Sequence, residues 1–137
     1  MILTDFGAQA IMNRYLNNTT YLPLTARLYT NNYTPLDTSV LGDFTEAAGG
    51  GYAAISLGTT WTVDPFHVTP ADAVHPAISY VFTGTLTGLT TVYGMYITDS
   101  SNVVIFAEKF GTPFQPRNNG DTITVNTTIQ MSKGTPT

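Results

Sequence analysis

In the last part of the chain, apolar and polar side chains alternate almost without interruption. Along residues 120–132 two sets of side chains would point to opposite sides of an extended backbone: Ile123, Val125, Thr127, Ile129 and Met131 to one side, and Thr122, Thr124, Asn126, Thr128 and Gln130 to the other. A period of two residues is typical of a β-strand with one face buried. Threonine suits the open face because strands tolerate its branched Cβ better than helices do. The sequence therefore predicts a long strand with one face in water.

Shorter runs of strand-forming residues precede this strand, and turn residues separate them. The clearest pair is 92–98 and 103–110, which the turn residues at 99–102 would join as a hairpin. Further strands are predicted at 24–30, 52–57, 61–63 and 78–82. Between the strands we expect a short helical turn within 38–46, an irregular loop or edge at 64–76 and a long irregular connection at 111–121, the last two containing prolines.

Helical spacing is found at the beginning of the chain. Over residues 4–17 the apolar side chains fall on one face of a helix that Thr4 would cap: Ala8, Ile11, Met12, Tyr15 and Leu16. This apolar stripe would pack on its own domain or dock on a neighbouring subunit. Roughly seven or eight strands, one helix and no alternation of the two predict an all-β fold: an antiparallel β-sandwich, jelly-roll-like, with one N-terminal α-helix.

The length of the chain and its low charge limit the kinds of function it can have. At 137 residues we expect one domain, 1–137, with a flexible tail at 133–137. Charged residues make up 10% of the chain, against about 25% in an average soluble domain. Because the net charge is −4 and the five basic residues are scattered, we expect no nucleic-acid partner. No secretory signal is evident and no apolar run reaches the roughly 20 residues that span a bilayer, so we expect cytoplasmic synthesis and no membrane partner.

Residues that could hold a metal are few. His67 and His75, with Asp64 and Asp72 nearby, could meet in a folded loop. No Glu-X-X-His element or second ligand cluster supports such a site, and the absence of cysteine excludes thiolate ligands and disulfides. The oxygen-bearing side chains of 37–43 are too sparse for a calcium loop. We therefore expect no metal and no cofactor.

Catalytic signatures are also missing from the sequence. The glycine run at 49–51 lacks the following lysine of a phosphate-binding loop, and no Gly-X-Ser-X-Gly element is present. Glu46 and Glu108 are the two glutamates, and a domain of this length lacks the long groove of a glycoside hydrolase. The sequence thus indicates a protein that is not an enzyme.

Several segments, in their order and spacing, carry a resemblance to a known class of proteins. They are the opening helix, LYTNNYTP at 28–35, FTEA at 44–47 leading to GYA at 51–53, VYGMYITD at 92–99 and NGDTITV at 119–125. Together they resemble small virion structural proteins of tailed bacteriophages. The resemblance covers most of the chain, but it consists of turns, strand ends and a hairpin, so it transfers no functional residue.

The resemblance implies a virion part, and the role of capsid decoration, or cement, protein fits best. Proteins of this kind bind the outer surface of the shell, often as trimers, and bridge subunits of the major capsid protein, which is the partner implied here. Low charge is consistent with this role because it lowers the cost of desolvating a protein interface. The aromatic residues expected at the interface are Tyr21, Tyr29, Tyr33, Tyr52 and Phe66.

The alternative is a receptor-binding or glycan-binding module associated with a tail or head fibre. An exposed aromatic ring on a β-sandwich can stack on a sugar. Trp61 or Tyr93, with neighbouring Asn or Asp side chains, would be the stacking residue. Trp61 would otherwise lie in the core.

Overall fold

The computed structural model describes residues 1–4, 6, 7, 10, 23–63 and 71–131. Several sequence predictions lie outside the described residues: those for Tyr21, Asp64, Phe66 and His67, most of the N-terminal helix, the first part of the irregular segment, at 64–70, and the flexible tail at 133–137.

Eight strands and two short 3-10 turns form the regular structure of the described residues. The strands are β1 (Ile2–Leu3), β2 (Thr25–Tyr29), β3 (Ile55–Ser56), β4 (Thr62–Val63), β5 (Ala71–Val81), β6 (Val92–Thr98), β7 (Val104–Phe114) and β8 (Thr122–Met131). The 3-10 turns lie at Leu41–Asp43 and Thr87–Leu89.

The strands form two antiparallel sheets. One sheet has five strands in the order β1-β7-β6-β2-β3, and the other has three strands in the order β4-β5-β8. All the strand pairings are antiparallel. The chain is therefore all-β, as its strand and turn pattern predicted.

The main core lies where the inner faces of the two sheets meet. The five-stranded sheet contributes Ala26, Leu28, Met95, Ile97, Ile105 and Phe106, and the three-stranded sheet contributes Ile78, Tyr80, Ile123 and Val125. Burying a side chain of this size contributes about 1.5–3 kcal/mol. This shared core holds the two sheets together.

The alternation predicted for the last strand is confirmed. In β8, Ile123, Val125 and Thr127 are buried, whereas Thr124 and Asn126 are exposed. Along most of its length β8 pairs with β5 in antiparallel register. The period of two residues therefore identified both the strand and its inner face.

The predicted hairpin is also confirmed, with β6 and β7 as its strands. In the turn, the Asp99 carboxylate accepts hydrogen bonds from the backbone N–H groups of Ser101 at 2.8 Å and Val103 at 3.0 Å. Asn102 adopts a φ of 61°, a conformation that asparagine tolerates better than most residues. Turn chemistry readable in the sequence thus fixes the β6–β7 connection.

The prediction of irregular structure at 64–76 is wrong from Ala71 onward, because β5 begins there. The strand contains His75 and Pro76, and its register with β8 shifts between His75 and Ile78. Such a β-bulge accommodates a proline, which cannot donate a ladder hydrogen bond. Similarly, 111–121 is not irregular throughout: β7 runs to Phe114 and includes Pro113.

Two other predicted elements are shorter than expected. The helical turn within 38–46 is the single 3-10 turn at Leu41–Asp43, and the strand at 52–57 is reduced to Ile55–Ser56. Directly before the second of these elements lies the glycine run, in which Gly49, Gly50 and Gly51 have φ values of 78°, 56° and 76°. These left-handed conformations continue the turn up to the start of the predicted strand.

The finer predictions of fold are not confirmed. The described strands form sheets of five and three, and these strand orders do not establish the two Greek keys of a jelly roll. The helix expected over about 4–17 is not among the elements of the described residues, and most of that range lies outside them. Phe6, Gly7 and Ala10 have helical backbone, and the Gly7 N–H donates to the Thr4 hydroxyl at 2.9 Å.

Gly94 lies in β6 of the five-stranded sheet, at a position that leaves no room for a side chain. A Cβ there would overlap the carbonyl oxygen of Glu108 and the phenol of Tyr29. We expect Gly94→Ala to lower the free energy of unfolding by about 1–3 kcal/mol, the usual cost of overpacking. Urea unfolding followed by circular dichroism measures this change.

Gly111→Ala is the matched control, because a Cβ on Gly111 in β7 meets nothing within 4 Å. Its free energy of unfolding should stay within about 0.5 kcal/mol of the parent value. Equal destabilisation by the two substitutions would contradict the packing described around Gly94.

Candidate interaction surface

Three of the five aromatic residues predicted at an interface are described, and their environments differ. Tyr29 is fully buried, whereas Tyr33 and Tyr52 are half-buried. Tyr21 and Phe66 lie outside the described residues. Within the isolated chain, Tyr29 therefore has no exposed surface to offer a partner.

Tyr29 belongs to an aromatic cluster on the outer face of the five-stranded sheet. We call this the outer cluster: its buried members are Tyr29, Phe44, Tyr96, Val104 and Ala107, and Tyr33 and Tyr93 pack against them. The Phe44 ring stacks on Tyr96 with centroids 4.8 Å apart. It also meets Tyr29 edge-on at 5.2 Å and Tyr33 edge-on at 5.3 Å. Aromatic pairs of this geometry contribute about 0.5–1.5 kcal/mol each beyond their buried area, so the segment that carries Tyr33 and Phe44 is fixed on the sheet.

Hydrogen bonds add to the stability of this segment, residues 30–46. The side-chain amide of Asn31 donates to the Asp43 carbonyl at 2.8 Å, and its oxygen accepts the Thr45 N–H at 2.8 Å. The hydroxyls of Tyr33 and Ser39 are 2.8 Å apart, and Ser39 is buried. The segment is therefore a fixed part of the surface, positioned by its own side chains.

The same segment turns apolar side chains outward. Val40 is 44% exposed and Leu41 is 38% exposed, and both line a groove of about 310 Å³ together with Phe6, which is 51% exposed. We call these three residues the apolar rim. The other described lining residues are Ser39, Gly42, Asn102, Val103 and Val104, none of which is charged. Exposed apolar side chains gathered around a groove are typical of a contact surface.

A polar cluster at the end of the same segment fixes Tyr52. The Arg27 guanidinium lies 2.8 Å from the Glu46 carboxylate, and the Tyr52 hydroxyl donates to that carboxylate at 3.0 Å. The Leu28 N–H in turn donates to the Tyr52 oxygen at 3.1 Å. Burial raises the pKa of the Tyr52 phenol far above its ordinary value. The hydroxyl of this predicted interface residue is therefore engaged within the chain.

His75 makes contacts that tie two segments together. Its Nε2 atom lies 2.9 Å from the Leu57 carbonyl oxygen and 3.0 Å from the Thr60 hydroxyl. Of its expected metal partners, His67 and Asp64 lie outside the described residues. Among the residues that are described, no group of three or more His, Cys, Asp or Glu side chains is placed to hold a metal ion. What the structure shows at His75 is a link between β5 and the segment before β4.

The two aromatic residues considered for sugar stacking are both packed within the chain. Trp61 is half-buried against the main core, and its ring meets that of His75 edge-on at 5.0 Å. Its indole N–H is buried with no hydrogen-bond partner in the described part of the chain. Tyr93 packs against the outer cluster. Neither ring is presented as an open platform.

The glycine run at 49–51 has a packing role. A Cβ on Gly50 would lie 2.7 Å from the Gly84 carbonyl oxygen and 2.8 Å from that of Thr85. The Thr83 N–H donates to the Gly50 carbonyl at 2.8 Å. Glycine is needed here because two loops touch through their backbones.

Sequence reasoning missed the apolar rim. The rim residues Val40 and Leu41 occur in the segment 38–46, predicted as a helical turn between strands, and Leu36, which is 55% exposed, lies two residues before it. The available signal was the presence of large apolar residues among turn residues with neither strand nor helix periodicity. Apolar residues without a periodic pattern have no predicted inner face, and here they remain at the surface.

Buried phenols should make the fold sensitive to alkali. Burial raises the pKa of both Tyr29 and Tyr96 from 10.0 to about 12. Their neutral forms are favoured in the folded state, so this contribution to stability is complete below pH 10 and is lost as the pH rises towards 12. We expect the free energy of unfolding to fall over that interval, as measured by urea titrations at several pH values.

Replacing both residues, in Tyr29→Phe/Tyr96→Phe, should make that fall shallower because two of the raised groups are gone. In the parent protein, the tyrosinate absorbance of the buried phenols should appear together with loss of the near-ultraviolet circular dichroism of the fold. Ionisation of every tyrosine near pH 10 in a protein that stays folded would contradict the burial of these rings.

Within the described residues, no helix is long and apolar enough to cross a membrane. No protein-family description, curated protein or solved structure matches the chain.

Proposed function

We propose that the chain is a structural protein of a tailed-bacteriophage virion, placed on the outer capsid surface as a decoration or cement protein. Its partner would be the major capsid protein, whose neighbouring subunits it bridges, and its copies would associate as a trimer. In this proposal the protein is not an enzyme, and its contact surface uses neither a metal nor a cofactor.

The observation that carries the proposal is the apolar rim. Phe6, Val40 and Leu41 are exposed around one groove, and the groove's position is fixed by the aromatic and hydrogen-bonded contacts of 30–46. A fixed surface loses little conformational entropy when a partner binds it. Covering the three side chains would contribute on the order of a few kcal/mol, enough for a contact that is repeated many times over a shell.

The low charge of the chain supports the same role. Charged residues make up 10% of the sequence, so few ionised groups would have to be desolvated when a face of the protein is covered. Closed symmetry would let one small surface be used repeatedly around an axis. The glycan-binding alternative lacks comparable support, because Trp61 and Tyr93 are packed within the chain.

Leu41→Asp is the direct test of the rim. A carboxylate in place of the leucine would have to be desolvated at the contact, and we expect the affinity for expanded shells that lack the protein to fall about tenfold or more. Co-sedimentation of purified protein with shells at increasing concentration measures both the affinity and the number of copies bound. Circular dichroism checks that the variant is folded.

Leu89→Asp is the matched control, since Leu89 is 65% exposed and does not line the groove. This variant should bind with the parent affinity and stoichiometry. Failure of the parent protein to bind shells would reject the cement function. Binding of the parent to host cells or surface glycan instead would favour the fibre-associated alternative.

A further inference from the structure

The three-stranded sheet ends in a long strand with an open edge. β8 is the last strand in the order β4-β5-β8, so among the described residues no strand pairs with its outer side. By contrast, β1, β3 and β4, the other strands at the ends of the two sheets, have only two residues each. β8 has 10 residues, so it is the longest of the four strands at the ends of the two sheets.

The sequence of β8 lacks the charges and prolines that commonly prevent an edge strand from pairing with another chain. Natural edge strands are commonly protected by lysine or other charged residues, by proline or by a bulge. The Thr122–Met131 sequence, TITVNTTIQM, contains no charged residue and no proline. The register shift of this sheet lies on the β5 side, between His75 and Ile78. The open edge of β8 therefore keeps the chemistry of a strand that accepts a neighbour.

The main-chain groups of alternate β8 residues point to this edge. The Phe82 N–H donates to the Asp121 carbonyl at 2.8 Å, and hydrogen-bonded and non-bonded pairs alternate along an antiparallel ladder. Ile123 and Val125 accordingly bond to β5. Thr124 and Asn126 turn their N–H and C=O groups outward, where a further strand could pair with them.

A groove of about 490 Å³ runs beside the same edge. It is lined by consecutive β8 residues, Thr122 to Asn126, and by alternate β7 residues, Glu108, Phe110, Thr112 and Phe114. Because consecutive residues of β8 take part, whose side chains alternate between the two faces, the groove lies along the strand edge rather than over one face. A strand added to β8 would therefore also cover part of this groove.

We propose that β8 of one copy pairs with β8 of a second copy, antiparallel and about a two-fold axis near Asn126. Such an interface must be self-complementary, and an uncharged strand meets its own copy without like-charge repulsion. Pairs of hydroxyl side chains across strands are favourable. β8 already makes one such contact with β5, where the Ser79 and Thr124 hydroxyls are 3.1 Å apart. The two three-stranded sheets would join as one continuous sheet.

This inference is independent of the capsid proposal. A two-fold pair joins two copies whether or not copies also assemble about a three-fold axis or bind a shell. A protein that does not pair through β8 could still bind the shell through the apolar rim. A protein that does not bind the shell could still pair through β8.

Asn126→Lys tests the pairing, because the axis would place two lysines opposite each other on exposed positions. In sedimentation equilibrium, the mass of the parent protein should rise with concentration to an even multiple of the chain mass of 14.8 kDa. Asn126→Lys should raise the dissociation constant of the pair about tenfold or more. Val81→Lys is the control: Val81 is exposed on β5, the middle strand of the same sheet, and this variant should pair like the parent.

A cysteine variant gives a second readout that does not depend on destabilisation. The chain has no cysteine, so Asn126→Cys introduces a single thiol, which should form a disulfide-linked pair under mild oxidation, whereas Val81→Cys should not. The proposal would be overturned by a protein that stays monomeric at high concentration, or by a trimer that neither Asn126→Lys nor Asn126→Cys affects. Equal cross-linking of the two cysteine variants would also overturn it.

Discussion

The structure depends on the burial of the five-stranded sheet on both of its faces. β5 and β8 cover the inner face, and the 30–46 segment covers the outer face through Phe44 and Tyr33. In β6, every residue except Tyr93 is buried. Because the central strands are enclosed in this way, the surface available to a partner consists mainly of the covering segment, the loops, the strand edges and the outer face of the three-stranded sheet.

The parts of the fold that could be predicted are those in which local chemistry and tertiary packing agree. β8 shows a clean period of two residues and has one buried face. In the β6–β7 turn, the Asp99 carboxylate accepts backbone N–H groups and Asn102 adopts a positive φ, both of which are typical of these residues in turns. β5 could not be predicted over its whole length because Pro76 normally ends a strand, and only the bulge between His75 and Ile78 allows the strand to continue.

The candidate site was less predictable than the fold, because it depends on contacts between segments distant in sequence. Alternation along β2 places Tyr29 on the face opposite Ala26 and Leu28, which suggests exposure. The structure buries it, since Phe44 from the covering segment lies over it. Conversely, Val40 and Leu41 are apolar and yet exposed, and no local pattern distinguishes them from core residues.

The two surfaces would bind their partners by different physical means. The apolar rim would gain free energy by removing side chains from water, whereas the β8 edge would gain it through main-chain hydrogen bonds. In the proposed role, the first would hold the protein to the shell and the second would join one copy to another. An electron cryomicroscopy map of the intact particle would locate the protein directly. The proposed function predicts a regular array of copies on the outer capsid surface, with the Val40–Leu41 side of each copy against the major capsid protein. Density for this fold at the tail or at a fibre, and none on the shell, would contradict it.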